Sequence, residues 1–340
     1  MVFRSRAPLR LGLAGGGTDV SPYSELYGGA ILNATIGLYA YATLELRDDD
    51  KISLIAYDRQ ETLELDAVEN LTLDGKLDLL KGVYNHLVKH YLKKPFGFNL
   101  STYVDAPAGS GLGTSSTLVV SILGAFTECF SLPFGEYDIA QIAYAIERED
   151  LKMAGGKQDQ YTAAFGGVNF MQFLNDDRVI VNPLRIKQKY LDELEFNLLL
   201  YYTGKSRLSS AIIEEQSENV KQNKEVSIDA MHKLKEQANL MKEALLKGKI
   251  DALGDILSFG WQFKKQMANS ISNSFIDEIY DEALSAGAKG GKISGAGGGG
   301  FMMIYCPNNT RYNVMNKLNK FGGEFRPYNF TESGLTTWKI

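Results

Sequence analysis

PAGSGLGTSS, from Pro107 to Ser116, is the stretch whose reading decides the fold. It follows an alternating segment, Phe96 to Val104, and precedes an apolar run, Thr117 to Phe130 (TLVVSILGAFTECF). The first reads as a strand, and the second, apolar on nearly every side, as a buried helix. Gly109, Gly111 and Gly113 let the backbone take positive φ and approach a ligand closely. The helix N-terminus beyond them offers unpaired N–H groups and the positive end of a dipole. Together these features make an anion site suited to a triphosphate. Thr114, Ser115 and Ser116 add hydroxyls for phosphate oxygens or Mg²⁺, while Pro107, Ser110 and Leu112 complete the loop. A glycine-rich turn capped by Ser or Thr, with no ligand at all, fits the same pattern.

Two further glycine-rich segments flank it at a distance, PLRLGLAGGGTD from Pro8 to Asp19 and KISGAGGGG from Lys292 to Gly300. Gly295, Gly297 and Gly300 satisfy G-x-G-x-x-G, but an apolar strand follows them where a dinucleotide-binding unit needs a helix and an acidic residue about 20 positions on. Only 40 residues follow Gly300, so that unit has no room. The chain contains no G-x-x-x-x-G-K-[ST], which excludes a P-loop, and neither H-R-D nor D-F-G, which excludes a protein kinase.

Two carboxylates stand downstream of the central loop. Glu147 lies on a predicted helix, Tyr137 to Met153, closed by Gly155 and Gly156. Asp159 follows that break in GGKQDQY, with Lys157 nearby to keep a carboxylate ionised. Phosphoryl transfer needs charge neutralisation, in-line positioning and a group to receive the attacking hydroxyl's proton, and these two residues suit such roles. A helix N-cap suits Asp159 equally well, and a solvated face suits the run ERED around Glu147.

Composition narrows the field. With 44% hydrophobic and 23% charged residues the chain is globular rather than disordered. A net charge of -5 gives no basic face for nucleic acid. Two cysteines, Cys129 and Cys306, are too few and too far apart for a zinc or disulfide framework. His86 and His90 share a helical face by spacing, but no Glu follows His86 as in H-E-x-x-H, and a solvated or partly packed face is expected. The basic N-terminus lacks the apolar run of a signal peptide, and no stretch reaches the ~18 apolar residues of a membrane span, so a cytoplasmic protein with no membrane partner is expected.

At roughly 150 residues per domain the length suggests two lobes. Strands are expected at Leu38 to Leu46, Ile52 to Tyr57, Val168 to Phe173 and Phe196 to Tyr202, and helices at Leu77 to Leu92, Ser209 to Leu246 and Ile250 to Ala286. The polar run NDDRVIVNPLRIKQKY marks the change of lobe, giving an ATP-binding lobe at 1–185 and a second lobe at 186–340 that holds the third glycine cluster.

The three glycine segments, in this order and spacing, resemble the three motifs of the GHMP small-molecule kinases, a family named for galactokinase, homoserine kinase, mevalonate kinase and phosphomevalonate kinase. The likeness extends from Pro8 to Gly300. It implies an α+β, two-lobed fold, with a β-α-β N-terminal lobe and a ferredoxin-like C-terminal lobe. It also implies ATP and Mg²⁺ as cofactors. Pro107 to Ser116 becomes the ATP loop, with Ser116 and Glu147 facing Mg²⁺. Glu147 stands twelve positions before Asp159, as in galactokinase-like members. Asp159 becomes the residue that deprotonates or orients the attacking hydroxyl, supported by Arg10. Asp19 holds sugar hydroxyls, with Gly16, Gly17 and Thr18 beside it.

Galactokinases carry Gly-Glu-His-Thr-Asp where this chain has Gly15, Gly16, Gly17, Thr18 and Asp19, which argues against galactose. Within the family, RLGLAGGGTDVSPY and the later YYTGKSRLSS are most similar to members that phosphorylate the anomeric oxygen of D-glycero-D-manno-heptose 7-phosphate. Those members make the 1,7-bisphosphate for nucleotide-activated heptose. Such a sugar phosphate is anionic at its far end, and Lys205 and Arg207, in a strand-to-helix turn, suit a phosphate there as well as they suit a plain surface loop. A fucose- or galactose-like neutral sugar, a mevalonate-type alcohol and an inactive sugar- and nucleotide-binding module are the alternatives. A homodimer is compatible with all of them.

Overall fold

The structure is a computed structural model that describes residues 1–204 and 209–340. The chain begins with strand β1 (Val2–Ala14), a short helix α1 (Tyr23–Tyr27) and the long strand β2 (Gly29–Arg47). From Gly29 to Ile36 every β2 residue is buried, whereas from Gly37 onward buried and partly exposed positions alternate. That switch marks where the strand passes from cover on both faces to cover on one. Strands β3 (Lys51–Ala56) and β4 (Glu61–Asp66), helix α2 (Asp78–Leu87) and strand β5 (Gly97–Val104) follow. A π-helical turn, Val88–Leu92, extends α2. On α2 His86 meets Asp150 through Nδ1 at 2.7 Å, so His86 is partly packed against the turn Ile146–Asp150, while His90 is exposed.

Helix α3 (Thr114–Phe130) is buried all round from Ser116 to Phe126 and lies on β1 and β2. After α4 (Glu136–Ala145), continued by a wide turn to Asp150, come α5 (Gln158–Phe165), β6 (Val168–Phe173) and β7 (Val179–Pro183). The helix that carries Glu147 therefore ends at Asp150 rather than at Met153. Lys152, held at positive φ, breaks it before the glycines do.

The first sheet has eight strands in the order β12-β1-β2-β5-β3-β4, with β6 on β2 and β7 on β6. The polar run after Phe173 is thus still part of this sheet, since Val179–Pro183 pairs with β6. A helix the sequence did not announce, α6 (Gln188–Asn197), then leads into strand β8 (Leu198–Tyr202), which starts two residues later than expected.

The second lobe comprises β8, helices α7 (Ser209–Lys221), α8 (Glu225–Lys247), α9 (Leu253–Met267) and α10 (Ser274–Ser285), strands β9 (Gly290–Ile293) and β10 (Phe301–Tyr305), helix α11 (Arg311–Leu318) and strand β11 (Glu324–Phe325). Its four strands run antiparallel in the order β11-β8-β10-β9. Numbered within the lobe, that order is 4-1-3-2 on a β-α-β-β-α-β path, the ferredoxin-like arrangement. The polar stretch near Ser217 to Val226 contains the break between α7 and α8. Two apolar cores form: the larger runs from the first sheet across to α8, α9 and β10 of the second lobe, and the smaller, around Trp261, Tyr201 and Met267, lies in the second lobe and takes in Tyr23 of α1.

The chain then crosses back. Phe330 bridges Ile36 of β2, and β12 (Thr336–Lys339) pairs antiparallel with β1. The first sheet holds the strands up to Pro183 and the second those from Leu198 to Phe325, while this last segment completes the first.

Candidate active site

Strand β1 carries Pro8, which has no N–H to give a neighbour. The register with β2 shifts between Pro8 and Arg10. Past the shift, the Arg10 N–H donates to the Leu112 carbonyl at 3.1 Å, tying the first glycine segment to the second. Gly109, Gly111 and Gly113 all have positive φ, at 72°, 84° and 78°. Helix α3 begins at Thr114, three residues before the expected start, so Thr114, Ser115 and Ser116 form its first turn. Leu112 is fully buried and anchors the loop, whereas Pro107 is exposed.

The third cluster closes on the loop from the other lobe. Ser294 Oγ donates to the Gly111 carbonyl at 2.8 Å, and the Phe301 N–H donates to the Ser110 carbonyl at 2.9 Å. A Cβ on Gly295 would sit 2.8 Å from the Gly111 Cα. Glycine in both segments is what allows this approach. The Ser110 hydroxyl is buried with no hydrogen-bond partner among the described residues.

Behind the loop Arg10 and Asp159 form a two-pronged pair. Arg10 Nε donates to Oδ1 at 2.8 Å and Nη2 to Oδ2 at 3.0 Å. Arg10 Nη1 also donates to the Gly111 carbonyl. The Arg10 side chain is 5% exposed and that of Asp159 23%, so one face of the carboxylate stays open. Asp159 is in the first turn of α5 but does not cap it, and it reaches to within 3.2 Å of where a Gly113 Cβ would be. Lys157 is not its charge partner, because that ammonium is engaged by Glu25 and Asp177. Arg10, not Lys157, is the cation paired with Asp159.

Asp19 is 1% exposed. Its Oδ2 accepts from the Gln158 N–H at 3.0 Å and its Oδ1 from Gln158 Nε2 at 3.2 Å. Burial raises its pKa, and the neighbouring Asp159 pushes the same way, while the Gln158 N–H and Arg10 oppose both. Thr18 is fully buried, and its hydroxyl is spent on the Gly15 and Ala30 backbone at 2.8–3.1 Å. It staples the turn. A Cβ on Gly156 would overlap Asp19 Oδ2 at 1.9 Å. The Gly156→Ala variant should therefore displace Asp19, raising the acceptor KM by about tenfold or more while the ATP KM stays within about twofold. Steady-state kinetics with each substrate varied in turn checks this.

Glu147 is 1% exposed, whereas Glu149 and Asp150 beside it are exposed, so ERED is a solvated face at only part of its length. Burial raises the Glu147 pKa, with Arg148, Ser116 and Gln160 acting against it. Gln160 Nε2 bridges Glu147 Oε2 at 2.5 Å and Ser116 Oγ at 3.2 Å. Arg148 Nη1 is 3.8 Å from Glu147 Oε1, too far for a close pair. A buried carboxylate beside a hydroxyl, short of positive charge and next to a phosphate cradle, fits a Mg²⁺ ion completed by phosphate and water oxygens. Gln160 was missed from the sequence; its place after Asp159 in QDQY was the available signal.

These residues surround a cavity of about 610 Å³, with Arg10, Gly17, Asp19, Ser116, Glu147 and Asp159 in its wall. Lys205 and Arg207 lie outside the described residues.

The profile of the GHMP kinases N terminal domain matches residues 78–167, and that of the GHMP kinases C terminal region matches residues 241–324. The D-glycero-alpha-D-manno-heptose 7-phosphate kinase of Campylobacter jejuni is 48% identical over 99% of both chains. This chain is a GHMP kinase. As such it uses ATP as phosphate donor, and its fold superposes on that of a D-glycero-D-manno-heptose 1-phosphate kinase from Bacteriodes thetaiotaomicron with a TM-score of 0.86, 46% identity and 99% coverage of both chains. The L-fucokinase/L-fucose-1-P guanylyltransferase of Bacteroides fragilis is 28% identical over 88% of this kinase and 34% of its own length. No helix among the described residues is long and apolar enough to cross a membrane.

Proposed function

We propose that this GHMP kinase transfers the γ-phosphoryl group of ATP to the anomeric hydroxyl of D-glycero-D-manno-heptose 7-phosphate, giving the 1,7-bisphosphate. The observation that carries phosphoryl transfer is the Arg10–Asp159 pair, whose carboxylate keeps an open face toward the cavity below the loop. The choice of acceptor rests on the 48% identity to the Campylobacter jejuni kinase and on the glycines that replace Glu-His in the first motif.

In this reading the N–H groups of the loop and of the first turn of α3 take the triphosphate. Asp159 accepts a hydrogen bond from the anomeric hydroxyl and aims its oxygen at the γ-phosphorus. As that oxygen bonds to phosphorus, the bond from phosphorus to the bridging oxygen of ADP breaks, and the hydroxyl proton passes to the carboxylate. Arg10 holds the Asp159 carboxylate in place through both of its oxygens. Asp19 accepts from a sugar hydroxyl, with Gly16, Gly17 and Thr18 shaping the turn that carries it. Ser116 and Glu147 would hold Mg²⁺, which when bound offsets the charge on the phosphates. Lys205 and Arg207 are assigned to the distal phosphate from sequence.

An ADP-release assay over heptose 7-phosphate, the unphosphorylated heptose, L-fucose, D-galactose and mevalonate tests the acceptor. The 7-phosphate should exceed every neutral acceptor in kcat/KM by about a hundredfold. Preference for L-fucose or galactose would sink this reading. For the metal assignment, Glu147→Gln should raise the Mg²⁺ concentration for half-maximal rate by about tenfold or more. An unchanged Mg²⁺ titration would remove Glu147 from that role.

A further inference from the structure

Gly16 and Gly17 leave two vacant positions in the first motif, and side chains from the second lobe stand in front of both. A Cβ on Gly16 would lie 3.6 Å from Lys264 Nζ, and one on Gly17 would lie 3.5 Å from Gln216 Oε1 and 2.6 Å from Met267 Cε. Lys264 and Met267 are one turn apart on α9, and Gln216 comes from α7.

Both polar residues are buried at the cavity wall in ways that protein contacts alone do not explain. Lys264 is 2% exposed, yet its ammonium, with three hydrogens to give, donates to the Gly295 carbonyl at 2.7 Å and makes no ion pair among the described residues. Burial lowers its pKa to about 8, while Asp19, close enough to act electrostatically, pulls the other way. Gln216 is 2% exposed and its Nε2 is buried with no acceptor among the described residues. Leaving such donors unpaired is costly, and the cost is recovered when a ligand supplies acceptors. Lys264 and Gln216 line the same cavity as Asp19 and Asp159.

We propose that Lys264 and Gln216 are acceptor-binding residues: the second lobe supplies the polar contacts to the sugar that Gly16 and Gly17 cannot make. The ligand chemistry is that of a polyhydroxylated ring. A sugar hydroxyl both donates and accepts. Asp19 takes its proton in a hydrogen bond while Lys264 donates to its oxygen, and Gln216 Nε2 donates to a second hydroxyl. Discrimination among sugars then resides in α7 and α9 as much as in the first motif. This assignment rests on the sugar-kinase reading given above.

Lys264→Met and Gln216→Leu, each close to the original volume, test it in the full chain. The KM for the sugar should rise by about tenfold to a hundredfold in Lys264→Met and about tenfold in Gln216→Leu. The affinity for the ATP analogue AMPPNP, measured by calorimetry without sugar, should stay within about twofold. For one member of a single-deoxy sugar series, the wild type should lose affinity and the matching variant should lose no more. A sugar KM unchanged in both variants would overturn the proposal. So would AMPPNP affinity falling in step with sugar affinity, because Lys264 would then only pin the third glycine cluster through Gly295. Gln216 makes no such bond, so Gln216→Leu decides the matter alone if Lys264→Met fails to fold. Absence of ADP release by the wild type with every sugar would instead overturn the kinase reading, and direct calorimetry of sugar binding to the variants would judge this assignment separately.

Discussion

Asp159→Asn will lower kcat by about a thousandfold and leave AMPPNP affinity within about twofold. The amide is nearly isosteric but cannot take the hydroxyl proton, and it offers Arg10 one acceptor in place of two. Its second end would present an N–H₂ group to a guanidinium 2.7–3.0 Å away, so the side chain must turn to bring its oxygen to Arg10. Asp159 meets the nucleotide loop at Gly113 and makes none of the loop's own hydrogen bonds among those described, so ATP binding should survive. Single-turnover phosphoryl transfer, measured beside equilibrium binding of AMPPNP, separates the two. Wild-type turnover in this variant would remove Asp159 from the chemistry.

Arg10→Met will be nearly as damaging, for a different reason. It leaves the Asp159 carboxylate without its cation next to a second, buried carboxylate, Asp19. It also strips a donor from the Gly111 carbonyl. We expect a loss of about 3 kcal/mol in folding stability, at the low end for a broken buried pair because Asp159 keeps a solvent face. A loss of at least about a hundredfold in kcat is expected as well. The pH profile carries the sign. Arg10 lowers the Asp19 pKa and Asp159 raises it. Removing Arg10 therefore raises it further, so Asp19 protonates at higher pH and the acidic limb of sugar binding moves upward. The double variant with Asp159→Asn should lose little more activity than the worse single one, because the two residues act as a unit. Denaturant unfolding and kcat/KM profiles of the three variants test this.

What could be read from the chain beforehand was what local pattern encodes. PAGSGLGTSS, Val168 to Phe173 and the KIS-GAGGGG-FMMIYC arch each sit in the structure as strand, turn or helix start, because glycine spacing and apolar runs are local signals. Strand β1 was not legible: Pro8 and the glycines from Gly12 onward argue against a strand, and only the register shift beside Pro8 reconciles them with a sheet. Helix α6 was hidden in a run that also holds strand β7. In the site, Arg10 and Asp159 were named through a motif, but their pairing joins residues 149 positions apart and no spacing rule gives it. Lys264 shows the limit most plainly. A lysine near the end of an amphipathic helix reads as solvated, and the long-range packing that sets α9 against the first and third glycine segments buries it.

The return of β12 to β1 also governs the order in which the protein can be finished. During synthesis, Phe3 to Arg6 emerge well before their outer partners, Thr336 to Lys339. Until then β1, the strand that positions Arg10, holds an open edge toward whatever else is nearby. An unfinished chain can bury most of its first core, but its arginine strand stays half-paired until the second lobe has been made. Closing that edge waits for the segment beyond the second lobe, so the first sheet and the strand that positions Arg10 are completed only after that lobe has been made.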